Sequence, residues 1–275
     1  MTPEEHSESV LAWRAAREAR LRDPDGWLTL VGLHWLAPGE NTFGSSSDND
    51  LVLRSGEDVP PHLGTLVLGG DGVLLRRVGH PDLPMADDQT GEPTTLDAGS
   101  LRMYVIRRGD RHGLRVRDHA SPALEAFAGM DHFPIDPGWR LEARLERAEP
   151  GATLEVVDVI GLVTREPCAG VVVFERDGRE WRLSALPGDP DDGSLWLIFA
   201  DATNGRDTYG GGRFVYTEPV QPDGRVVVDF NLAYNPPCVF TPYATCPLPP
   251  AVNRLPLAIE AGERRFIRLG AGDRP

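Results

Sequence analysis

"GVVVFERDGREWRLSAL", residues 170–186, decides the fold: two runs rich in β-branched and aromatic side chains flank Asp177-Gly178. Asp-Gly between such runs marks a two-residue hairpin turn whose central residues take positive φ, so the stretch predicts two antiparallel strands. The same texture continues in "SLWLIFAD" (194–201), "RFVYTEPV" (213–220) and "RVVVDFN" (225–231), and five to six strands fit from Gly151 onward. Upstream, "WLTLVGLHWL" (27–36), "DLVLRS" (50–55), "GTLVLGGDGVLLRRV" (64–78) and "SLRMYVIRRGDRHGLRVRD" (100–118) read as strands. Gly69-Gly70-Asp71-Gly72 and Gly109-Asp110-Arg111 supply their turns.

Thr2-Pro3-Glu4-Glu5 is a capping box with Pro at the first helical position, and it predicts a helix ending near Arg22, before Asp23-Pro24-Asp25-Gly26. Val10, Trp13 and Leu21 lie near one stripe of it. Residues 119–150 carry a brief helical pattern, several prolines and Phe127, Phe133 and Trp139, the composition of a packed connection. The expectation is a mainly β chain with two β-rich lobes of sandwich or barrel type. It comprises an N-terminal helix (1–25), a β-sandwich lobe (26–118), the connection (119–150) and a barrel or sandwich lobe carrying the site (151–275).

With 275 residues, 40% apolar and 25% charged, the chain has material for a real core. It contains no run of eighteen apolar residues and its first residues lack a basic-then-apolar leader pattern, so no membrane partner is expected and a cytoplasmic location is. A net charge of −14 repels phosphodiester backbones, which argues against nucleic acid as a partner. All 28 basic residues are Arg, so phosphate-loop lysines, Schiff bases and lysine general bases are excluded. Cys168, Cys238 and Cys246 have no zinc-site spacing, and no metal is expected. His132 is the last of seven His, so any His-assisted chemistry in the C-terminal half must draw on the first half.

Three stretches carry a family likeness: "GLHWLAPGENTFGSSSDNDLVL" (32–53), "FADATNGRDTYGGGRFVYTEPV" (199–220) and "DFNLAYNPPCVFTPYATCPLPPAVNRLPLAIEAGERRF" (229–266). On these the chain resembles, over nearly its full length, the prokaryotic domain of unknown function 1684 family. That resemblance implies no activity, cofactor or residue role. Residues 41–68 resemble the opening of a forkhead-associated sandwich, which implies a β-sandwich, but the position of that module's phosphate-gripping Arg is Ser45 here. Residues 178–201 resemble the first hairpin and following strand of flavin-binding split barrels, which would imply a flavin cofactor; otherwise the cofactor is unknown.

Candidate site residues concentrate between Ala200 and Cys246. Asp201 and Asp229 each follow an apolar strand; brought together they would form a general acid/base pair, and kept apart they are turn or cap residues. Tyr209 and Arg213 flank three glycines and would grip a polar or anionic ligand, although a glycine run also serves a loop or bulge. Asn231, Tyr234 and Asn235 enter a loop of six prolines that limits their freedom before any ligand arrives. Cys238 is a candidate nucleophile or, in its apolar neighbourhood, a quiet thiol; with Cys246 it would make a redox-sensitive disulfide. Two functions stay open: a small-molecule enzyme or binder with its pocket in these loops, and a protein-interaction module without catalysis.

Overall fold

Thr2 and Glu5 close the capping box reciprocally: Thr2 N donates to Glu5 Oε2 at 2.7 Å and Glu5 N to Thr2 Oγ1 at 3.2 Å. These bonds satisfy two backbone donors that the first helical turn would otherwise leave orphaned. Helix α1 runs Pro3–Arg22, with Arg20 and Arg22 at its negative end. The computed structural model describes residues 1–266, mostly β, in two compact units. Among these residues no helix is long and apolar enough to cross a membrane.

The smaller unit holds Arg20–Ala128 and Thr241–Ala244. Its strands are β1 (Leu30–Trp35), β2 (Gly39–Gly44), β3 (Leu51–Val52), β4 (Gly64–Gly69), β5 (Gly72–Arg76), β6 (Leu83–Met85), β7 (Thr95–Ala98), β8 (Leu101–Arg108) and β9 (Arg111–Asp118). They form a five-stranded sheet, β3-β2-β4-β5-β6, and a four-stranded sheet, β1-β9-β8-β7. Phe43, Leu66 and Leu75 from one sheet and Met103, Val105, Leu114 and Val116 from the other share one core, which makes the unit a sandwich. Both glycine turns fall where the sequence puts them, pairing Gly69 with Gly72 and Arg108 with Arg111.

The larger unit holds Met1–Ala19, Gly129–Phe240 and, among the described residues, 245–266. Its strands are β10 (Arg140–Arg147), β11 (Thr153–Val157), β12 (Val163–Pro167), β13 (Gly170–Arg176), β14 (Arg179–Pro187), β15 (Leu195–Phe199), β16 (Arg213–Tyr216) and β17 (Arg225–Asp229). Six make an antiparallel sheet in the order β16-β15-β14-β13-β10-β17, curled as a half-barrel, while β11 and β12 pair as a separate hairpin. At the β13–β14 turn Asp177 and Gly178 have φ of 54° and 70°, as a primed hairpin turn requires. Seven strands therefore follow Gly151, where five to six are expected, and β10 lies within the stretch expected as connection. The inward faces of the sheet surround Phe230, whose ring meets Phe199 at 5.4 Å, Phe174 at 5.6 Å and Trp139 at 6.0 Å. The helical pattern in the connection is α2 (Pro122–Ala126), capped by the Ser121 side chain.

Candidate active site

Strand β17 ends at Asp229, whose Oδ1 accepts from Asn231 N at 2.9 Å and from Asn231 Nδ2 at 2.8 Å. Asn231 is itself bolted to the backbone of Asp136, through Oδ1 at 3.0 Å and Nδ2 at 2.9 Å. One carboxylate oxygen is thus used to hold the group in place. The other, Oδ2, lies 2.6 Å from Nε2 of His6 on α1, with both residues buried. With Nε2–H donated to Asp229, the imidazole lone pair sits on Nδ1, and Nδ1 has no hydrogen-bond partner among the described residues.

His6 and Asp229 line a cavity of about 170 Å³ together with Trp13, Arg140, Tyr216 and Tyr234. That is below the roughly 300 Å³ at which drug-sized pockets begin, so it suits a small ligand. The Tyr216 and Tyr234 rings stack at 6.3 Å and 9°, and Trp13 lies 6.2 Å from Tyr234. Burial pushes both phenols above their ordinary range, Tyr234 further than Tyr216. They are therefore neutral donors at any physiological pH. Arg140 pairs with Glu218 beside the cavity.

Tyr234 is fixed from two sides. Its backbone exchanges hydrogen bonds with Phe214 at 2.8 and 2.9 Å, and the Arg17 guanidinium lies 4.9 Å from its ring centroid. Arg17 Nε also donates to the buried Glu263 at 3.1 Å, and its Nη2 donates to the Asn235 carbonyl at 3.0 Å. Extended backbone ahead of Pro236, whose φ is −66°, sets this approach.

The remaining sequence candidates serve other contacts. Asp201 Oδ2 takes Arg213 Nη2 at 2.9 Å with both side chains fully buried, while its Oδ1 accepts from Thr203 Oγ1 at 2.6 Å and Thr203 N at 2.8 Å. Arg213 also donates to the carbonyls of Ile259, Ala261 and Glu263, so it tethers the C-terminal segment. Asp201 and Asp229 thus have separate partners. The glycine run is set by packing: a Cβ on Gly212, at φ +89°, would stand 2.3 Å from Pro249 and 2.6 Å from the Phe199 carbonyl. Asn235 donates from Nδ2 to Arg264 O at 2.8 Å and from its backbone N to Glu263 at 2.7 Å. Cys238 and Cys246 stand as thiols; Cys238 N lies 3.1 Å from Cys246 Sγ, and Cys238 Sγ lies 3.5 Å from Tyr209 Oη.

Asp229, Asn231 and Tyr234 are thus brought together, whereas His6, Trp13, Arg140 and Tyr216 escape the sequence reading. His6 had one available signal: it stands four residues before Val10, on the buried stripe of α1. Among the described residues no three His, Cys, Asp or Glu are placed to hold a metal ion.

No curated protein matches this chain. The solution NMR structure of an uncharacterized protein from Haloarcula marismortui is 34% identical over 51% of this chain and 78% of its own, with a TM-score of 0.42. The family model described as "Protein of unknown function (DUF1684)" matches residues 125–264, which include Asp229, Tyr216 and Tyr234, and the chain belongs to that family.

Proposed function

We propose that the chain is a cytoplasmic small-molecule enzyme in which the His6–Asp229 dyad moves a proton for a small polar ligand in the cavity walled by Trp13, Tyr216 and Tyr234. One observation carries this reading: a buried imidazole in a cavity wall, with one nitrogen tied to an oriented carboxylate and the other without a partner among the described residues. Nδ1 would take a proton from the ligand or from a water attacking it. Asp229, held by two Asn231 donors, would stabilise the resulting imidazolium, and the Tyr216 phenol would donate to charge developing on the ligand.

A thermal-shift screen of a metabolite library tests it. Ligands that stabilise the wild type should still bind Asp229→Asn, while turnover of any that react should fall by about 10²–10⁴, the contribution of a general base. Ligands whose shifts and turnover survive both His6→Gln and Asp229→Asn would show that the site lies elsewhere. The interaction-module reading also has an observation in its favour, since Asp201 and Arg213 spend their polar groups inside the fold. A library with no stabilising member would favour it.

A further inference from the structure

Strand β9 carries a second cluster of buried charge, in the smaller unit. Leu114 and Val116 face the sandwich core, so Arg115 and Arg117 occupy the opposite face of the strand. They are only 5% and 7% exposed. Arg117 donates through Nη1 to Gly26 O and Thr29 Oγ1, and through Nη2 to Tyr104 Oη at 3.4 Å. It has no carboxylate partner among the described residues. Arg115 makes neither hydrogen bond nor ion pair there, and its Nε is buried without a partner.

The other buried arginines are matched: Arg17 has Glu263 and Arg213 has Asp201. On β9 no carboxylate among the described residues pairs with either guanidinium. Arg102, the cross-strand neighbour of Arg117, holds Asp97 at 3.0 Å and Asp25 at 3.7 Å. Asp118 accepts from Ser100 and Ala120. Trp27 and Tyr104 flank both guanidiniums at 5.7–5.9 Å, the outer limit of cation–π attraction. Two like charges side by side, one with no hydrogen-bond partner among the described residues, form an arrangement that an oxyanion would complete.

We propose that Arg115 and Arg117 form an anion-binding site on the face of β9 opposite the sandwich core, taking the phosphate or carboxylate group of a small molecule between the Trp27 and Tyr104 rings. Guanidinium forks match either group bidentately, and strand geometry spaces the two Cα atoms by about 6.8 Å, close enough for both to reach one oxyanion.

Inorganic phosphate and citrate, titrated separately into the full chain at constant ionic strength, test this by calorimetry and by melting temperature. Saturable binding with a Kd below about 1 mM is expected for at least one of them, and the stronger arm identifies the group. Arg115→Gln should raise the melting temperature in anion-free buffer, because it removes an uncompensated buried charge, and should weaken binding at least tenfold. Arg115→Lys keeps the charge without the fork and should also bind more weakly, with an unchanged circular dichroism spectrum. No saturable binding of either anion, or binding unaltered in both variants, overturns the proposal. So does an anion-independent fall in melting temperature for Arg115→Gln with phosphate binding intact.

Discussion

The Arg213 guanidinium is wholly buried, and burial alone pushes its pKa down; Asp201 at 2.9 Å opposes that and keeps the charge tolerable. Removing the carboxylate while leaving the cation is therefore the costly change. Asp201→Asn should lose about 3–5 kcal/mol of stability in urea unfolding, the usual effect of stripping one partner from a buried pair. Replacing both residues with apolar side chains should cost less than the sum of the single changes, and strict additivity would mean the pair is not coupled. The same pair shows why the site was half legible. Asp201 and Asp229 both follow apolar strands, and nothing local separates a structural carboxylate from a chemical one. The distinction lies in the partner: Arg213 is twelve residues from Asp201, whereas His6 is 223 residues from Asp229. Tyr234 was legible because prolines adjoin it, and Tyr216 was not because a tyrosine in a strand reads as packing.

Helix α1 attaches through a stripe that is partly polar: His6, Val10, Arg17 and Leu21 are its buried members. Two polar groups in the buried face mask the amphipathic pattern, so the capping box located the helix while its docking face stayed hidden. Strand β10 was lost for a similar reason. In "RLEARLER" Leu141, Ala143 and Leu145 turn inward, but five of the eight residues are Arg or Glu and one inward side chain is only a methyl, so the apolar alternation is faint. The β13–β14 hairpin was legible because its turn chemistry and its valines agree. If α1 is anchored mid-helix, the losses should rank accordingly. Thr2→Ala gives up the cap and should cost about 1 kcal/mol. Arg17→Ala leaves Glu263 buried without its cation and should cost about 3–5 kcal/mol by urea unfolding. Equal losses would place the anchor at the capped end instead.

Across the whole molecule the resolved histidine shifts share one direction, and that sets the response to acid. Burial, reinforced by Arg14, lowers His132 to about 4, and burial with Arg54 lowers His34. An unfolded histidine binds a proton below its ordinary 6.5, while native His132 stays neutral down to about 4. Its contribution is thus fully present above pH 6.5, is lost progressively as the pH falls, and changes no further below about 4. Asp97, Glu146 and Glu180, held below their ordinary values chiefly by hydrogen bonds from Arg102 and Arg182, lose stability only in the next window, below about 4.5. Burial pushes Glu263 upward against Arg17, so its contribution has the opposite sign, present in acid and lost as the pH rises through its native value. Surface repulsion also relaxes as acid neutralises the charge of −14, and 0.15 M salt minimises that effect by cutting the screening length to about 8 Å. Under those conditions the urea midpoint should fall between pH 7 and pH 5, and His132→Asn, which cannot titrate, should show a shallower fall. A His132→Asn variant with the wild-type slope would mean that the His132 ring is solvated in the native protein, since the opposing Glu263 contribution is common to both proteins.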